Sequence, residues 1–205
     1  MPLRAAGVCG LLASVTFIVG LVAGDLTQPE AFSPANDDVS DLGAQTAESA
    51  WLYNQLAANL NGLLIIVFAL GLWRAVGSGW LARFGVIALI ALGVGRFLEG
   101  FLRLDCRGMD AGCENDSWQS DGHGIESGIS AALFFLAPLL LAFAFRGLPA
   151  WRGLWLPTLL AVPVIVAASV LFSVVGDGAA TRAASIVWFL WLGLVASRLL
   201  RQGES

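Results

Sequence analysis

Residues 93–130 decide how this chain folds, and they read GVGRFLEGFLRLDCRGMDAGCENDSWQSDGHGIESGIS. Two apolar segments flank a polar loop in this stretch, and five ionisable side chains interrupt them: Arg96, Glu99, Arg103, His123 and Glu126. Ionisable groups at membrane depth are unfavourable unless they face a bundle interior or a wet cavity. The stretch therefore predicts two neighbouring membrane helices with a polar site between them.

The composition of the whole chain is that of a polytopic membrane protein. Its 205 residues are 58% hydrophobic and 13% charged, with a mean hydropathy of +0.79, whereas soluble domains carry about 25% charged residues. Six apolar segments are each close to the roughly 20 residues that cross a bilayer: about 5–24, 48–74, 80–104, 122–146, 153–174 and 179–200. Lipid cannot form hydrogen bonds with the backbone N–H and C=O groups, so a single apolar segment that crosses the bilayer has to be a helix. We therefore predict an all-α integral membrane protein, a single six-transmembrane-helix bundle.

The basic residues predict the orientation of the bundle. All eleven are arginines, and seven of them flank the segments on one side: Arg4, Arg74, Arg83, Arg146, Arg152, Arg198 and Arg201. By the positive-inside rule, both termini are cytoplasmic. The first segment is longer than the ~7–15-residue core of a secretory signal, so we interpret it as a span. The lack of lysine and the 24 glycines favour a GC-rich bacterial genome, and hence a bacterial plasma membrane.

The two long connections on the opposite side predict a folded cover. Cys106 and Cys113 lie in the second connection, which faces an oxidising compartment in this orientation, so we expect a disulfide between them. The first connection contains SPANDDVSDLG at residues 33–43, a composition that favours turns. Asp41 in this segment is expected to lie over the pocket, facing Arg96 or Arg103.

Each of the two polar segments presents its polar residues on one helical face at 100° per residue. These faces comprise Arg96, Glu99 and Arg103 on the first segment, and His123, Glu126, Ser127 and Ser130 on the second. With a helix that continues to residue 104, Arg96 lies about 12 Å below its outer end. Sequential helices are usually neighbours, so the two faces predict a pocket open to the outer leaflet.

The polar cluster has two interpretations that the sequence leaves open. In the first, Arg96 forms a buried ion pair with Glu99 or Glu126 that fixes the helix register. In the second, the cluster is a site in which Arg96 and Arg103 bind an anionic group. His123 and Glu126 are then the candidates for acid–base catalysis.

The sequence carries no motif that is typical of binding a metal, a cofactor or a nucleic acid. His123 is the single histidine, and neighbouring arginines disfavour a cation at Glu99, Asp105 or Glu126, so we expect no metal and no cofactor. Ser127 lies one helical turn from His123, but no G-x-S-x-G motif accompanies it. No feature of the chain indicates nucleic-acid binding.

Short motifs along the chain resemble a known family. They are Ser40-Asp41-Leu42-Gly43 before a span with Asn54, then Gly95-Arg96 through Phe101 to Asp105-Cys106, then His123-Gly124 with Ser127. This order resembles the prokaryotic multi-spanning family catalogued as domain of unknown function 998. The resemblance implies a six-helix membrane bundle with a polar outer cluster, and it implies no activity. The matched positions are Asp41, Arg96, Asp105, His123 and Ser127.

The sequence favours ligand binding over catalysis. We expect an outer-facing pocket that binds a ligand, such as the head group of a membrane lipid, or docks a membrane-protein partner. The predicted ligand-binding residues are Asp41, Arg96, Glu99, Arg103, Asp105, His123, Glu126 and Ser127. An intramembrane lipid hydrolase or transferase that uses His123 or Glu126 is the alternative. A proton-coupled transporter ranks below it, because the ionisable groups cluster towards one side.

Overall fold

The computed structural model describes residues 2–203 and contains six long helices. They are α1 (Leu3–Thr27), α2 (Ala50–Ala75), α3 (Trp80–Glu99), α4 (Trp118–Gly147), α5 (Trp155–Ser173) and α6 (Asp177–Gln202). Each is long and apolar enough to cross a membrane, α5 together with the 3-10 turn Arg152–Leu154 that precedes it. Residues 2–203 contain no strand. The predicted all-α bundle of six spans is confirmed.

The helices form a closed ring in chain order, in which each packs against its sequence neighbours and α6 returns to α1. Phe17 of α1 stacks on Phe189 of α6 with ring centroids 4.1 Å apart. α2 and α3 approach backbone to backbone, since a Cβ on Gly62 would lie 2.4 Å from the backbone nitrogen of Phe97. Small residues at such crossings are what allow membrane helices to pack this closely.

The two ends of the ring differ. The termini end carries the start of α1, the end of α6 and the connections 76–79 and 148–154, and Gly203 packs there against Arg4. The loop end carries two long connections, residues 28–49 and 100–117, which we call the cap. Large buried side chains fill the half of the ring nearer the termini end: Phe68, Leu72, Leu89, Leu141, Phe145 and Trp151.

The loop-side half of α2 is a π-helix over Tyr53–Leu60. Its wider turn rotates the residues that follow it relative to a continuous α-helix. Asn61, directly after it, donates from Nδ2 to the Ala13 carbonyl of α1 at 2.6 Å. Asn59, within it, donates to the Phe97 carbonyl of α3 at 2.6 Å. Side-chain amides therefore tie α2 to both of its neighbours in the ring.

α3 ends at Glu99 rather than at residue 104, where the predicted span ended. The chain turns at Gly100, where a Cβ would lie 2.4 Å from the Asn59 side chain, so only glycine permits this approach of α3 to α2. Arg96 therefore lies about 5 Å from the end of its helix, instead of the expected 12 Å. Arg103 lies in the cap.

The cap is a folded structure. Cys106 and Cys113 form the expected disulfide, with Cα atoms 6.2 Å apart. Arg107 pairs with Asp110 at 2.8 Å, and Thr46 of the first connection donates to the same carboxylate at 2.5 Å. The Arg107 hydrogen bond is the main reason that the pKa of Asp110 falls to about 2. Asp110 thus joins the two connections of the cap.

The cap is also tied to the helices. Arg182 of α6 pairs with Asp25 of α1 at 2.7 Å, and it donates to the carbonyl of Asp37 at 2.8 Å. The backbone nitrogen of Ala179 donates to the carbonyl of Ala35 at 2.9 Å. These bonds hold the first connection over the loop end of the ring.

Candidate functional site

A cavity of about 500 Å³ lies inside the loop-side half of the ring, and all six helices and the cap line it. Half of its polar lining residues come from α3 and α4: Arg96, Glu99, His123, Glu126, Ser127 and Ser130. The other polar residues come from the cap, α2, α5 and α6: Asp38, Ser40, Tyr53, Ser169, Thr181 and Ser185. Its aromatic lining lies deeper: Phe17, Phe134, Phe135, Trp188 and Phe189. The volume falls in the range of about 300–1,000 Å³ that small-molecule sites occupy. The cavity therefore has a polar part below the cap and an aromatic part near the middle of the ring.

The protein itself engages Arg96. Its guanidinium pairs with Glu99 one turn along α3, and Nη2 donates to the Ala57 carbonyl in the π-helix at 2.5 Å. The Tyr53 hydroxyl donates to the other carboxylate oxygen of Glu99 at 2.9 Å. The Arg96 guanidinium also lies 5.5 Å from the ring centroid of Phe17, within cation–π range. A largely buried ion pair of Arg96 with Glu99, one of the two interpretations of the cluster, is thus present, and hydrogen bonds between each partner and α2 hold the two helices together.

Glu126 of α4 is a buried acidic side chain of the polar lining, and no basic residue forms a salt bridge with it in the part of the chain that the structure describes. Its carboxylate accepts a hydrogen bond from the Ser130 hydroxyl one turn further along. Gly95 of α3 lies opposite, and a Cβ there would be 2.5 Å from both Glu126 Oε1 and Ser130 Oγ. The missing side chain at Gly95 is what leaves room for the carboxylate and the hydroxyl between the two helices.

His123 and Ser127 form a hydrogen-bonded pair on α4. The Nδ1 atom of His123 lies 3.0 Å from the Leu102 carbonyl, which can only accept, so Nδ1 carries a proton. In the neutral imidazole, Nε2 is then the acceptor for the Ser127 hydroxyl, 3.3 Å away. The arrangement places a histidine nitrogen next to a serine hydroxyl, in a chain with a single histidine.

Comparison with known families identifies the chain. The family model described as protein of unknown function (DUF998) matches residues 11–198. The chain belongs to the DUF998 family. No curated protein and no solved structure matches it. The family model covers the cap, the cavity and all five positions on which the sequence resemblance rests, so the resemblance is confirmed.

The structure of this DUF998 protein divides the predicted site residues into two groups. Those that line the cavity are Arg96, Glu99, His123, Glu126 and Ser127. The other three belong to the cap: Asp41, Arg103 and Asp105. Because α3 ends early, Arg103 is exposed and borders a separate small pocket next to the cavity. The two arginines that the helical wheel assigned to one anion site are therefore apart.

The cap carboxylates of the DUF998 protein bond within the cap. Asp41 is buried and accepts from the backbone nitrogen of Gly108 at 3.2 Å, and burial raises its pKa above the usual range. Asp105 accepts from Gln45 at 2.8 Å and from the backbone nitrogen of Ser117 at 2.9 Å. Hydrogen bonds from Ser117 lower the pKa of Asp105. Both carboxylates hold the cap together rather than facing Arg96.

Sequence reasoning did not place Tyr53 or Trp188 in the site. Tyr53 is the single tyrosine of this DUF998 protein, and its hydroxyl at membrane depth is a signal for a polar partner. Trp188 lies mid-span, away from the membrane interfaces where tryptophan usually concentrates. Its Nε1 donates to the Phe134 carbonyl at 3.0 Å, and its ring stacks on that of Phe134. No three His, Cys, Asp or Glu side chains among residues 2–203 are grouped as metal ligands.

Proposed function

We propose that this membrane protein binds an amphiphilic small molecule in the cavity of its loop-side half. The observation that carries the proposal is the cavity itself, which combines a polar part around Glu126 with an aromatic part around Phe134 and Trp188. A ligand with a polar head and an apolar body would match both parts. Pockets that bury a few directional polar groups among apolar walls are typical ligand sites.

The polar groups favour a head group that donates hydrogen bonds. An ionised carboxylate offers about four acceptor positions, and one of those of Glu126 is taken by the hydroxyl of Ser130. Arg96 already donates to Glu99 and to the Ala57 carbonyl, so it has less capacity to hold an anion. A buried carboxylate is stabilised by a cation or by further donors. An ammonium or hydroxyl-rich head group therefore fits Glu126 better than a phosphate alone would.

The packing of the termini-side half supports binding rather than transport. The cavity ends near Ile65 and Leu92. Towards the termini end, the described residues continue as a buried layer that includes Phe68, Leu89 and Leu141. A proton-coupled transporter needs a second half-path on that side of the site. The dense layer makes a stationary ligand the better interpretation.

The proposed orientation places the loop end and its cap outside the cell. Arginines near the termini end support it through the positive-inside rule, and the disulfide Cys106–Cys113 supports an oxidising environment for the cap. A bacterial plasma membrane remains the proposed location. Docking of a membrane-protein partner remains a prediction of the sequence.

Analysis of co-purified molecules tests the binding proposal. The protein is extracted in a mild detergent and measured intact by native mass spectrometry, and bound amphiphiles are identified after extraction. We expect one amphiphile with an amine or hydroxyl head group for each chain. The variant Glu126→Gln keeps the size of the side chain but loses its charge, so occupancy should fall about tenfold if a hydrogen bond to a charged group worth about 1.5 kcal/mol is lost.

The matched control is Asp121→Asn, an equal loss of charge on the same helix. Asp121 is exposed and does not line the cavity, so this variant should keep the occupancy of the unchanged protein. Two results would overturn the proposal. One is the absence of any bound amphiphile above a detergent blank. The other is equal occupancy in both variants.

A second candidate function is acyl transfer or hydrolysis, and the His123–Ser127 pair favours it. Transfer of the Ser127 proton to Nε2 of His123 would produce the nucleophile, with Nδ1 held by the Leu102 carbonyl. The serine oxygen would attack an ester carbonyl and release the alcohol, which takes the proton back from His123. Water would then hydrolyse the acyl-serine and regenerate the hydroxyl.

Labelling with a fluorophosphonate probe tests this second function. Covalent labelling of the protein that disappears in Ser127→Ala, and falls strongly in His123→Asn, would support it. Ser130→Ala is the matched control, because Ser130 is also a cavity serine on α4 but bonds to Glu126 instead. Labelling that persists in Ser127→Ala, or no labelling at all, would count against the reaction.

A further inference from the structure

The exposure of α5 changes abruptly along its length. Its buried residues are Thr158, Ala161 and Ile165, and the last of these lies one residue past the middle of the helix. From Val166 to Ser173 no residue is buried, although Ser169 in this part lines the cavity. The loop-side half of α5 therefore borders the cavity without being covered by its neighbours.

The edge of α4 on the same side of the cavity also consists of lining residues that are exposed. Ser127, Ala131 and Phe135 follow one another at four-residue spacing, which places them in one stripe along the helix. All three line the cavity, and all three are exposed. The stripe extends over eight residues, about 12 Å at 1.5 Å per residue. A lining residue that is also exposed marks an edge of an opening.

The walls that α1, α2 and α3 form are closed. The lining residues Phe17, Tyr53, Ile65 and Leu92, contributed by α1, α2 and α3, are all buried. Val39 of the cap is buried as well, whereas the lining residues Asp38 of the cap and Thr181 near the start of α6 are exposed. The exposed stripe along α4 and the uncovered part of α5 consequently form the long side of the opening, which faces outwards from the ring.

We propose that this opening is a lateral entrance through which the acyl chain of a membrane lipid reaches the cavity. The inference rests on the proposed binding function and names the class of its ligand. The flanks of the opening carry exposed apolar side chains, Leu136 and Leu139 on α4 and Val166 and Val170 on α5. In a bilayer such surfaces contact lipid chains, so the opening leads from hydrocarbon to the aromatic part of the cavity.

The interior fits one chain. Phe134 stacks on Trp188 with ring centroids 5.2 Å apart, and Phe17 stacks on Phe189 at 4.1 Å, which gives a rigid apolar wall. A chain along this wall would bring its polar end towards Glu126, two helical turns nearer the loop end than Phe134. The volume of about 500 Å³ suits a single chain with its head group.

A photoreactive lipid tests the entrance. Lysophosphatidylethanolamine with a diazirine near the end of its chain is incorporated into vesicles of phosphatidylethanolamine and phosphatidylglycerol that contain the protein. After illumination, cross-linked residues are mapped by mass spectrometry. We expect cross-links to the cavity residues Phe134 and Trp188. The variants Ala131→Trp and Ser169→Trp, one on each edge of the opening, should lower this cavity labelling at least fivefold.

The control is Ala132→Trp, which adds the same side chain at an exposed position that does not line the cavity, and labelling should not change. A second probe, the same head group on a six-carbon chain, is added from water to the detergent-solubilised protein. If the edge variants lower its binding as strongly, tryptophan has filled the cavity and lateral entry is overturned. Cross-links confined to outward-facing residues also overturn it. Amphiphile occupancy that still depends on Glu126 in that case would leave the binding proposal intact.

Discussion

Gly95→Ala should disturb the site while sparing the fold. The added Cβ would lie 2.5 Å from Glu126 Oε1 and from Ser130 Oγ. Ordinary contact begins at 3.4 Å, so both oxygens must retreat by about 0.9 Å. Both atoms are at the ends of side chains that can rotate, and no backbone atom is among the close contacts. The displacement therefore falls on the carboxylate and hydroxyl that we assign to ligand binding.

The expected free energies separate stability from binding. Alanine in place of glycine favours a helix interior by up to about 1 kcal/mol, whereas a weakened Ser130–Glu126 bond opposes folding by about 0.5–1.5 kcal/mol. The two terms nearly cancel, so the free energy of unfolding should change by less than about 1 kcal/mol. Loss of a ligand hydrogen bond to a charged group costs about 1.5–3 kcal/mol. That loss weakens binding roughly tenfold to a hundredfold.

Thermal unfolding in detergent and native mass spectrometry measure the two quantities on the same preparation. Gly128→Ala is the neutral control, because its Cβ would meet nothing within 4 Å. Gly62→Ala is the control for a broken fold, because its Cβ would meet the backbone of Phe97. The reasoning is refuted if Gly95→Ala lowers the melting temperature as much as Gly62→Ala does. It is equally refuted if the amphiphile occupancy of Gly95→Ala equals that of Gly128→Ala.

Three further predictions concern the ion pairs and the cap. Glu99→Gln should destabilise the protein by about 3 kcal/mol, measured by thermal unfolding, because it leaves the charge of Arg96 without its partner. Cys113→Ser should lower the stability of the cap by about 2–3 kcal/mol, measured by the rate of proteolysis within it, because the short loop is no longer closed. The folded-state pKa of Asp110 is lowered to about 2, so its bond to Arg107 contributes fully above the usual pKa near 4 and is lost as pH falls towards 2. Pepsin should therefore cleave the cap of the unchanged protein more slowly than that of Asp110→Asn at pH 4, a ratio of rates below one, and this ratio should approach one at pH 2; a constant ratio would contradict the prediction.

The helices could be predicted from sequence because the bilayer imposes length and composition on every span. Their ring order follows in part from the short connections. The end of α3 was not predictable in the same way, since Phe101, Leu102 and Leu104 continue the apolar pattern beyond Glu99. The helix ends where Gly100 packs against Asn59 of α2, a tertiary contact between residues far apart in the sequence.

The cluster on α3 and α4 was predictable, but its internal pairing was not. Charged residues in apolar segments indicate a polar interior regardless of partner, and five of the eight predicted site residues line one cavity. The partner of Arg96 depends on the π-helix of α2, which brings Tyr53 and the Ala57 carbonyl to α3. The hydrophobic pattern of α2 carries no signal for that wider turn.

The length of α4 gives a reason to expect the ligand to lie parallel to the surrounding lipids. Its 30 residues extend about 45 Å, which exceeds the ~30 Å hydrocarbon core of a bilayer by about 15 Å. The polar residues at its start, including Asp121 and His123, identify the loop end as the part that protrudes. Glu126, about 12 Å from that start, then lies near the boundary between head groups and hydrocarbon. Phe134, about 12 Å deeper, lies among the chains, so a bound lipid could keep its head and its chain at the depths they have in the membrane.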